Sequence, residues 1–150
     1  MTLTKYKQKR NTKKSGEPKG VIKKEGNAVG NLGVLLFVIH KHHASHLHWD
    51  LRLEINNVLK SWAVPRQPPT TKGVKRLAIE VEDHPLNYAT FEGTIPKGNY
   101  GAGKVEIWDK GKYELINKTK NKIEFKLKGK KNERNFCFNK ASEQVQNSSF

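Results

Sequence analysis

Cysteine is almost absent from this chain, since Cys137 is the only one among 150 residues. A single thiol cannot form an intrachain disulfide and cannot build a cysteine-rich zinc site. Both kinds of covalent or metal staple are therefore excluded as the source of the fold's stability. This cysteine usage fits a reducing, cytoplasmic compartment.

Long hydrophobic runs are also missing. The longest, VLLFVI at 34–39, is far too short to span a bilayer, and the small-residue cleavage site of a signal peptide does not accompany it. We interpret this run as a buried strand of a cytoplasmic protein with no membrane partner. The sequence also shows no internal repeat and no amphipathic helix of useful length.

Acidic residues are too few to balance the basic ones. Lys and Arg number 29 against 14 Asp and Glu, which gives a net charge of +15. Such an imbalance destabilises a compact state by self-repulsion and is typical of proteins with a polyanionic partner. Nucleic acid is the favoured partner, an anionic membrane is a weaker one, and a merely lysine-rich surface is the plain alternative.

The length of the chain predicts one domain with a real core. Residues 1–30 form a basic, Gly/Lys-rich arm with almost no apolar periodicity, which is either disordered or lies along a phosphate backbone. We expect the folded domain at 31–141 and a loose tail at 142–150.

The stretch LHWDLRLEI at 47–55 alternates without a break, and this period of two predicts a β-strand with one buried face. One side carries Leu47, Trp49, Leu51, Leu53 and Ile55, and the other carries His48, Asp50, Arg52 and Glu54. An imidazole, a carboxylate and a guanidinium in a row are unusual for a solvated strand face. We therefore expect the chemistry of the protein on this polar face.

A tight hairpin turn at Asn56-Asn57 is predicted to join this strand to the next, because both residues tolerate positive φ. The turn sets the register: Ile55 faces Val58, Leu53 faces Lys60, Leu51 faces Trp62 and Trp49 faces Val64. Three of these four pairs are apolar on both sides. On the polar face, the small residues Ser61 and Ala63 oppose Arg52 and Asp50 and leave the polar row open to a ligand.

Eight short, closely spaced strands are predicted, which favours an antiparallel all-β sandwich or barrel. They span 34–41, 47–55, 58–64, 76–82, 104–109, 112–117, 121–128 and 135–140, with turns at 109–111 and 129–132. In the strand at 76–82 we expect Leu77, Ile79 and Val81 to face inward. The long Gly/Pro-rich connection at 84–103 favours a functional loop, whose glycines form turns and lack the context of a P-loop.

A metal site is indicated by His48 and Asp50, which are two residues apart on one strand face, with His42 from the preceding strand as a third ligand. Two imidazoles and a carboxylate suit Mn²⁺, Zn²⁺, Fe²⁺ or Co²⁺, and three protein ligands leave open positions for catalysis. The alternatives are plain surface histidines or a His-rich tract that sequesters metal and also uses His40, His43 and His46.

Further polar residues are candidates for contacts with phosphate. Arg52 is suited to hold a phosphate bidentately beside the metal, although an arginine on a strand is often only a solvated charge. His84 and Tyr88 offer a proton donor and a phenol, or else a capped turn. Arg66 and Arg76 are candidates for contacts with a nucleic-acid backbone.

At this point long, gap-free motifs carry a resemblance to a known family. They are FVIHKHHASHLHWDLRLE, LKSWAVP, VEDHPLNYATFEGTIPKGNYGAG and WDKG, and the similarity runs from about residue 37 to 114. Over this range the chain strongly resembles the 3′-phosphoesterase domain of bacterial and archaeal DNA ligase D.

The resemblance implies a single closed or nearly closed antiparallel β-barrel of about eight strands, with little helix and a groove on its outer surface. It implies a Mn²⁺-dependent repair activity in non-homologous end joining, with Co²⁺ or Zn²⁺ as alternative ions. The enzyme would remove a 3′-terminal ribonucleoside from a DNA or DNA/RNA primer-template and then remove the remaining 3′-phosphate.

Residue by residue, the resemblance assigns roles to nine positions. His42, His48 and Asp50 match the family's metal ligands, and Arg52, His84 and Tyr88 match its phosphate-contacting, catalytic residues. Arg76 matches a basic residue of the groove, and Arg10 and Glu17 match a motif in the arm. The expected molecule is a stand-alone monomer that works in trans with a ligase, a polymerase and an end-binding protein.

Some positions depart from the family pattern. Asn11 stands where the family usually has Asp, and His40 stands where it commonly has Gln. The altered Asn11 bears on the arm more than on the metal ligands. A non-catalytic, basic nucleic-acid-binding β-barrel is the competing interpretation, because it shares the charge and the fold.

Overall fold

The computed structural model describes residues 3–20, 35–130 and 133–147. In these residues the chain forms two short helices, ten strands and one 3₁₀ helix, and strands dominate. The elements are α1 Thr4–Lys9, α2 Thr12–Ser15, β1 Leu35–His43, β2 Leu47–Ile55, β3 Val58–Val64, β4 Lys75–Leu77, β5 Ile79–Pro85, a 3₁₀ helix at Leu86–Thr90, β6 Gly93–Ile95, β7 Gly103–Lys118, β8 Lys122–Gly129, β9 Glu133–Asn139 and β10 Gln144–Asn147.

The strands form one antiparallel, nearly closed barrel in the order β4-β10-β9-β8-β7-β1-β2-β3-β5, with β6 paired to β7. The two ends of this order, β4 and β5, are consecutive in the chain and are joined by the fully buried Ala78. The Ala78 amide donates to the Glu143 carbonyl at 2.8 Å. The predicted all-β fold class and antiparallel barrel are confirmed.

The hairpin of β2 and β3 has the predicted bounds and the predicted register. Ile55 pairs with Val58, Leu51 with Trp62, and Asp50 with Ala63. Asn56 and Asn57 have φ values of 52° and 66°, as a tight turn of this kind requires. The pattern could predict this hairpin because every determinant of it lies within eighteen residues of sequence.

Two hydrophobic cores lie on opposite sides of the sheet. The larger core fills the barrel and takes Trp49, Leu51, Leu53 and Ile55 of β2 together with residues such as Trp62 and Phe125. Leu47, predicted on the same buried face, is 43% exposed because it lies at the start of the strand beside the turn. A smaller core lies outside the barrel, where Leu3, Tyr6 and Tyr88 cover Val58 and Leu59 of β3 and, with their neighbours, Val38 of β1. The outer face of the barrel wall is therefore covered by the N-terminal arm and the 3₁₀ helix.

The predicted single strand at 76–82 is wrong in detail, because the chain divides it between the two ends of the barrel. Leu77 and Ile79 are 47% and 43% exposed, and the half-buried Val81 lines a cleft outside the barrel. Ala78 packs into the main core in their place. Ile79 and Val81 pair with Ala63 and Ser61, whereas Glu80 pairs with the core residue Trp62, so the parity is kept across Ala78 and the predicted inward and outward faces are exchanged.

The predicted turn at 109–111 is also wrong, because β7 runs through it as one strand. The register against β1 shifts between Ile39 and His40, and the strand continues through Gly111. A Cβ at Gly111 would lie 2.3 Å from the Lys128 carbonyl oxygen, so glycine permits a close strand approach here. The buried Asp109 accepts the amides of Lys110 and Lys130 at 2.9 and 2.8 Å.

The ends of the chain contain more structure than their composition predicts. The expected loose tail includes β10, which pairs with β9 and β4, and the expected arm contains α1 and α2. Residues 21–34, 131–132 and 148–150 lie outside the described residues, and so does part of the predicted turn at 129–132. The domain boundaries therefore stay a prediction. Among the described helices, none has the length and apolar content to cross a membrane.

Candidate metal centre and phosphate-binding cleft

The three predicted metal ligands come together near the turn that joins β1 to β2. His42 and His48 are paired in register, and Asp50 follows two residues along β2. Nδ1 of His42 and Nε2 of His48 lie 3.6 and 3.3 Å from Oδ2 of Asp50. One candidate ligand atom from each residue lies within 4.8 Å of the others, so one ion could contact all three.

Backbone carbonyls fix the tautomers of both imidazoles. Nε2–H of His42 donates to the Gly101 carbonyl at 2.7 Å, which leaves Nδ1 free to bind a metal. Nδ1–H of His48 donates to the His46 carbonyl at 3.0 Å, which leaves Nε2 free. Such outer hydrogen bonds are typical of histidines that bind metals. Both free nitrogens face Asp50, so the donor set fits a borderline divalent ion.

The carboxylate of Asp50 is buried yet anionic. Burial alone would raise its pKa, but Arg52 and the two imidazoles outweigh burial and hold the pKa of Asp50 well below its ordinary value. Asp50 in turn raises the pKa of His48, because the protonated imidazole can donate from Nε2 to the carboxylate. A negative charge is therefore kept ready at the position where a cation would bind.

The Arg52 guanidinium is held by groups from three directions. Nε donates to Nδ1 of His40 at 3.1 Å, Nη1 donates to Oγ of Ser61 at 3.0 Å, and Nη2 lies 3.4 Å from Oδ2 of Asp50. The guanidinium carbon also lies 4.9 Å from the centre of the Tyr88 ring. Arg52 is thus a fixed, buried cation next to the metal ligands.

His40 is a further residue of the site, outside the predicted metal ligands. It is fully buried, and its Nε2–H donates to the Phe91 carbonyl at 3.0 Å, so its Nδ1 is the acceptor for Arg52. Burial, and then the charge of Arg52, lower the pKa of His40 to about 3, which keeps the ring neutral. The available signal was parity, because His40 lies two residues before His42 on the same strand face.

His84 is buried on the opposite wall of the same cleft. Its Nδ1–H donates to the Glu82 carbonyl at 2.9 Å, and its Nε2 accepts from Nη2 of Arg10 at 3.1 Å. Burial, and then Arg52 and Arg10, hold the pKa of His84 well below its ordinary value. The imidazole is therefore neutral at pH 7, with a lone pair on Nε2.

The N-terminal arm completes this wall. Arg10 donates to Glu17 at 2.9 Å and to Glu82 at 2.8 Å, and the Tyr88 hydroxyl donates to Glu17 at 2.5 Å. Burial would lower the pKa of Arg10, but the two carboxylates raise it overall. Glu82 is a second site residue that the sequence pattern does not predict, and the available signal is the strand parity that it shares with His84.

A cleft of about 240 Å³ lies on the outer side of the barrel, between these residues. Eight of the predicted site residues line it: Arg10, Glu17, His42, His48, Asp50, Arg52, His84 and Tyr88. Arg66 is exposed in the loop after β3 and does not line it. Arg76, on β4, donates to the Gln67 carbonyl at 3.1 Å and does not line it either.

The His-rich tract divides between different environments. His40 bonds Arg52, and His43 lies 3.0 Å from Glu106 on the surface. Within the described residues, the set of three His, Cys, Asp or Glu side chains that could share an ion is His42, His48 and Asp50. This grouping favours one defined metal centre over a tract that sequesters several ions.

Comparison with known proteins gives a consistent family assignment. The sequence profile of the DNA Ligase D 3′-phosphoesterase domain matches residues 40–140. The chain is 44% identical over 134 residues to the multifunctional non-homologous end joining protein LigD of Pseudomonas aeruginosa, covering 86% of this chain and 16% of the relative. It is 50% identical over 115 residues to the multifunctional non-homologous end joining DNA repair protein LigD of Mycobacterium tuberculosis, covering 75% of this chain and 14% of the relative.

Proposed function

Because the chain belongs to the DNA ligase D 3′-phosphoesterase domain family, we propose that it is a metal-dependent phosphoesterase that heals 3′ ends for repair. It removes a 3′-terminal ribonucleoside from a DNA or DNA/RNA primer-template and leaves a 3′-phosphate. It then removes that phosphate and leaves a 3′-OH. The observation that carries this proposal is the convergence of three metal ligands and a buried guanidinium in one cleft.

The metal would be held by His42, His48 and Asp50, whose donor atoms already converge. When bound, a divalent ion supplies Lewis acidity at the scissile phosphate. We propose Mn²⁺ as the working ion, with Co²⁺ and Zn²⁺ as alternatives that suit the same nitrogen and oxygen donors.

Arg52 would bind the non-bridging oxygens of the phosphate beside the metal ligands. Its guanidinium is charged at all relevant pH values and presents donors in a planar fork that matches phosphate geometry. His40, Ser61 and Asp50 hold it in place before substrate binds, so little reorganisation is needed when charge develops in the transition state.

His84 would act on the oxygen atoms of the same phosphate. The free protein holds this imidazole neutral, so it cannot donate a proton from Nε2 until it has taken one up. A bound phosphate favours that uptake, because its negative charge opposes the effect of Arg52 and Arg10. His84 would then either protonate the leaving 3′-oxygen or stabilise the phosphoryl oxygens, with Tyr88 packed against its ring at 4.7 Å.

The arm would form the substrate-binding wall through Arg10 and Glu17. Arg66 and Arg76 lie outside the cleft, and we propose that they contact the nucleic-acid backbone farther from the reacting end. The net charge of +15 supports binding that does not depend on sequence and weakens steeply as salt rises.

The relatives are named as multifunctional proteins of non-homologous end joining, and the chain spans about one sixth of their length or less. We propose that this chain acts in the same repair process in the cytoplasm. A monomeric state and cooperation with a ligase, a polymerase and an end-binding protein are further parts of this proposal.

The test is an incubation of the protein with a primer-template that ends in one 3′ ribonucleotide, followed by gel analysis of the primer. With Mn²⁺, the primer should first shorten by one nucleoside to a 3′-phosphate end and then lose the phosphate. Parallel reactions contain Co²⁺, Zn²⁺ or a chelator, and an all-DNA primer with a 3′-phosphate isolates the second step.

The outcomes separate the proposal from its competitor. A basic, non-catalytic binder would retard the primer-template on a native gel and leave its 3′ end unchanged with every ion. That result would overturn the proposed activity and favour the non-catalytic binder, which shares the charge and the fold.

A further inference from the structure

Tyr100 differs from the other tyrosines of the chain in being exposed. Tyr6, Tyr88 and Tyr113 are buried, whereas Tyr100 is 48% exposed. A ring in this position contributes little to either hydrophobic core, so packing does not account for it.

The loop that carries Tyr100 is tied to the candidate metal centre. It follows β6, and the amides of Asn99 and Ala102 donate to the carbonyls of Pro96 and Asn99 at 3.3 and 3.1 Å. The next residue, Gly101, adopts a left-handed φ of 74°, and its carbonyl accepts the hydrogen bond from His42. Tyr100 therefore occupies a fixed place at the rim of the metal cleft.

A second cleft, of about 390 Å³, adjoins the metal cleft along this rim. The two clefts share Arg10, Glu17 and Tyr100 in their walls. The remaining wall of the second cleft is polar and cationic: Gln8, Lys9, Asn11, Lys14, Ser15, Gly98 and Asn99. Tyr100 thus lies at the junction between the metal centre and a basic groove.

Two cations lie over the ring of Tyr100. Nζ of Lys9 lies 5.0 Å from the ring centre and donates to the Tyr100 hydroxyl at 3.4 Å, and the guanidinium carbon of Arg10 lies 5.1 Å from the ring centre. Lys9 and Arg10 are bonded to carboxylates, so Lys14 is the groove cation that is offered to a phosphate. An exposed aromatic ring beside a basic groove suits a single nucleic-acid strand, because a base can stack on the ring while an adjacent phosphate binds in the groove.

We propose that Tyr100 is the stacking platform for the base at the 3′ end of the processed strand, and that the second cleft takes the backbone of that strand. This subsite rests on the proposed function, because the metal centre defines where the 3′-phosphate lies. Stacking needs only the flat face of a base, so the subsite accepts any of the four bases.

The test measures stacking directly. A primer-template whose 3′-terminal nucleoside is 2-aminopurine with a 3′-phosphate is titrated with protein in the presence of a chelator, so that no turnover occurs. Base stacking should quench the 2-aminopurine fluorescence with the native protein and with Tyr100→Phe and Tyr100→Trp. Tyr100→Leu should lose the quenching and weaken binding about 5- to 150-fold.

Two further variants separate stacking from other effects. Ile116→Ala is the matched control, because Ile116 is also 48% exposed but lines neither cleft, and it should bind as the native protein does. Lys14→Ala should reduce the slope of log affinity against log salt by about 0.7, as loss of one phosphate contact requires. Tyr100→Leu should leave that slope unchanged.

Each outcome decides between the two proposals. If Tyr100→Leu quenches the 2-aminopurine fluorescence and binds the primer-template as the native protein does, the stacking subsite is overturned, whether or not the protein releases phosphate. If the native protein quenches the probe but releases no phosphate with any of the three ions, the subsite stands and the proposed activity fails.

Discussion

The two faces of β2 are buried to the same degree but by different means. Asp50 and Leu51 are neighbours and are each 5% exposed. Leu51 packs among hydrocarbon side chains inside the barrel, whereas the Asp50 carboxylate has three nitrogen atoms of His42, His48 and Arg52 within 3.6 Å. Burial alone therefore does not separate core from site in this protein, and the nature of the partners does.

This difference has an energetic consequence. The inner face gains stability from removal of apolar area from water, roughly 25 cal/mol per Å². The polar side chains of the outer face lose their contacts with water, and hydrogen bonds and ion pairs between them must replace those contacts. Removal of one such side chain therefore leaves its partner buried and unpaired. Substitutions on the inner face should therefore change stability, and substitutions on the outer face should change chemistry.

The largest contrast is expected between Asp50→Asn and Leu53→Ala. Asp50→Asn removes the charge between two imidazoles and should lower turnover at least about 1,000-fold, while the barrel stays folded. Leu53→Ala should keep the turnover of each folded molecule but lower the free energy of unfolding by about 2–5 kcal/mol. Phosphate-release assays and denaturant titrations measure the two effects.

A suitable control is Glu133→Gln on β9, because this side chain is 61% exposed and lies outside the cleft. Glu133→Gln should change neither the turnover nor the free energy of unfolding. Near-normal turnover by Asp50→Asn would remove Asp50 from the proposed site.

The next largest effect is expected at His84 on β5, and it tests whether the residues that bind the metal and the residue that transfers a proton are separate. His84→Ala should lower phosphate release about 10²- to 10⁴-fold, because it removes the group that acts on the phosphate oxygens. Titration calorimetry should find Mn²⁺ binding unchanged, since His84 is not among the grouped ligands. Unchanged phosphate release would mean that His84 has another role.

A smaller effect is expected at His40, which lies behind Arg52. His40→Leu leaves Nε–H of Arg52 without its acceptor and should lower kcat about 5- to 150-fold, as one buried unpaired donor costs about 1–3 kcal/mol. His40→Gln supplies an amide oxygen at this position and should recover most of kcat. Equal kcat values for the two variants would show that His40 only fills space.

The smallest effect concerns the pH dependence of the arm. Burial would raise the pKa of Glu82, but its bonds to Arg10 and Lys9 lower it below the ordinary 4.5. The stability that the ionised Glu82 adds to the folded protein is therefore complete above pH 4.5, and it is lost as the pH falls through the lower pKa of the folded state.

Below about pH 4.5, the melting temperature of the native protein should fall more steeply than that of Glu82→Gln, because the glutamine takes up no proton. Thermal melts monitored by circular dichroism across this range measure the difference. Parallel curves for the two proteins would show that the contact between the arm and β5 adds no pH-dependent stability.

The inner face of β2 and its hairpin were predictable from sequence because their determinants are local. Alternation fixes which side chains of 47–55 share a face, and the turn at Asn56-Asn57 fixes their partners on β3. The candidate metal ligands follow from the same alternation, with His42 supplied by the preceding strand.

The cover over the outer face was not predictable in this way. Arg10 meets Glu82 and His84 across more than seventy residues of sequence, and the arm that carries Arg10 shows no apolar period. The bond from Arg52 to His40 depends on the pairing of β1 with β2 and on the burial of both side chains. The outward facing of Leu77 and Ile79 was not predictable either, because the closure of the barrel at Ala78 has no local sequence signal.

The position of the arm has a practical consequence for how domains of this kind are cut from longer proteins. A fragment trimmed to the family-matched residues 40–140 would lose Arg10, Glu17 and the greater part of β1, which pairs with both β2 and β7. It would also expose the apolar surface that Leu3 and Tyr6 cover. Such a fragment would be both poorly soluble and short of one wall of its cleft, so its inactivity would say nothing about the chemistry of the intact chain.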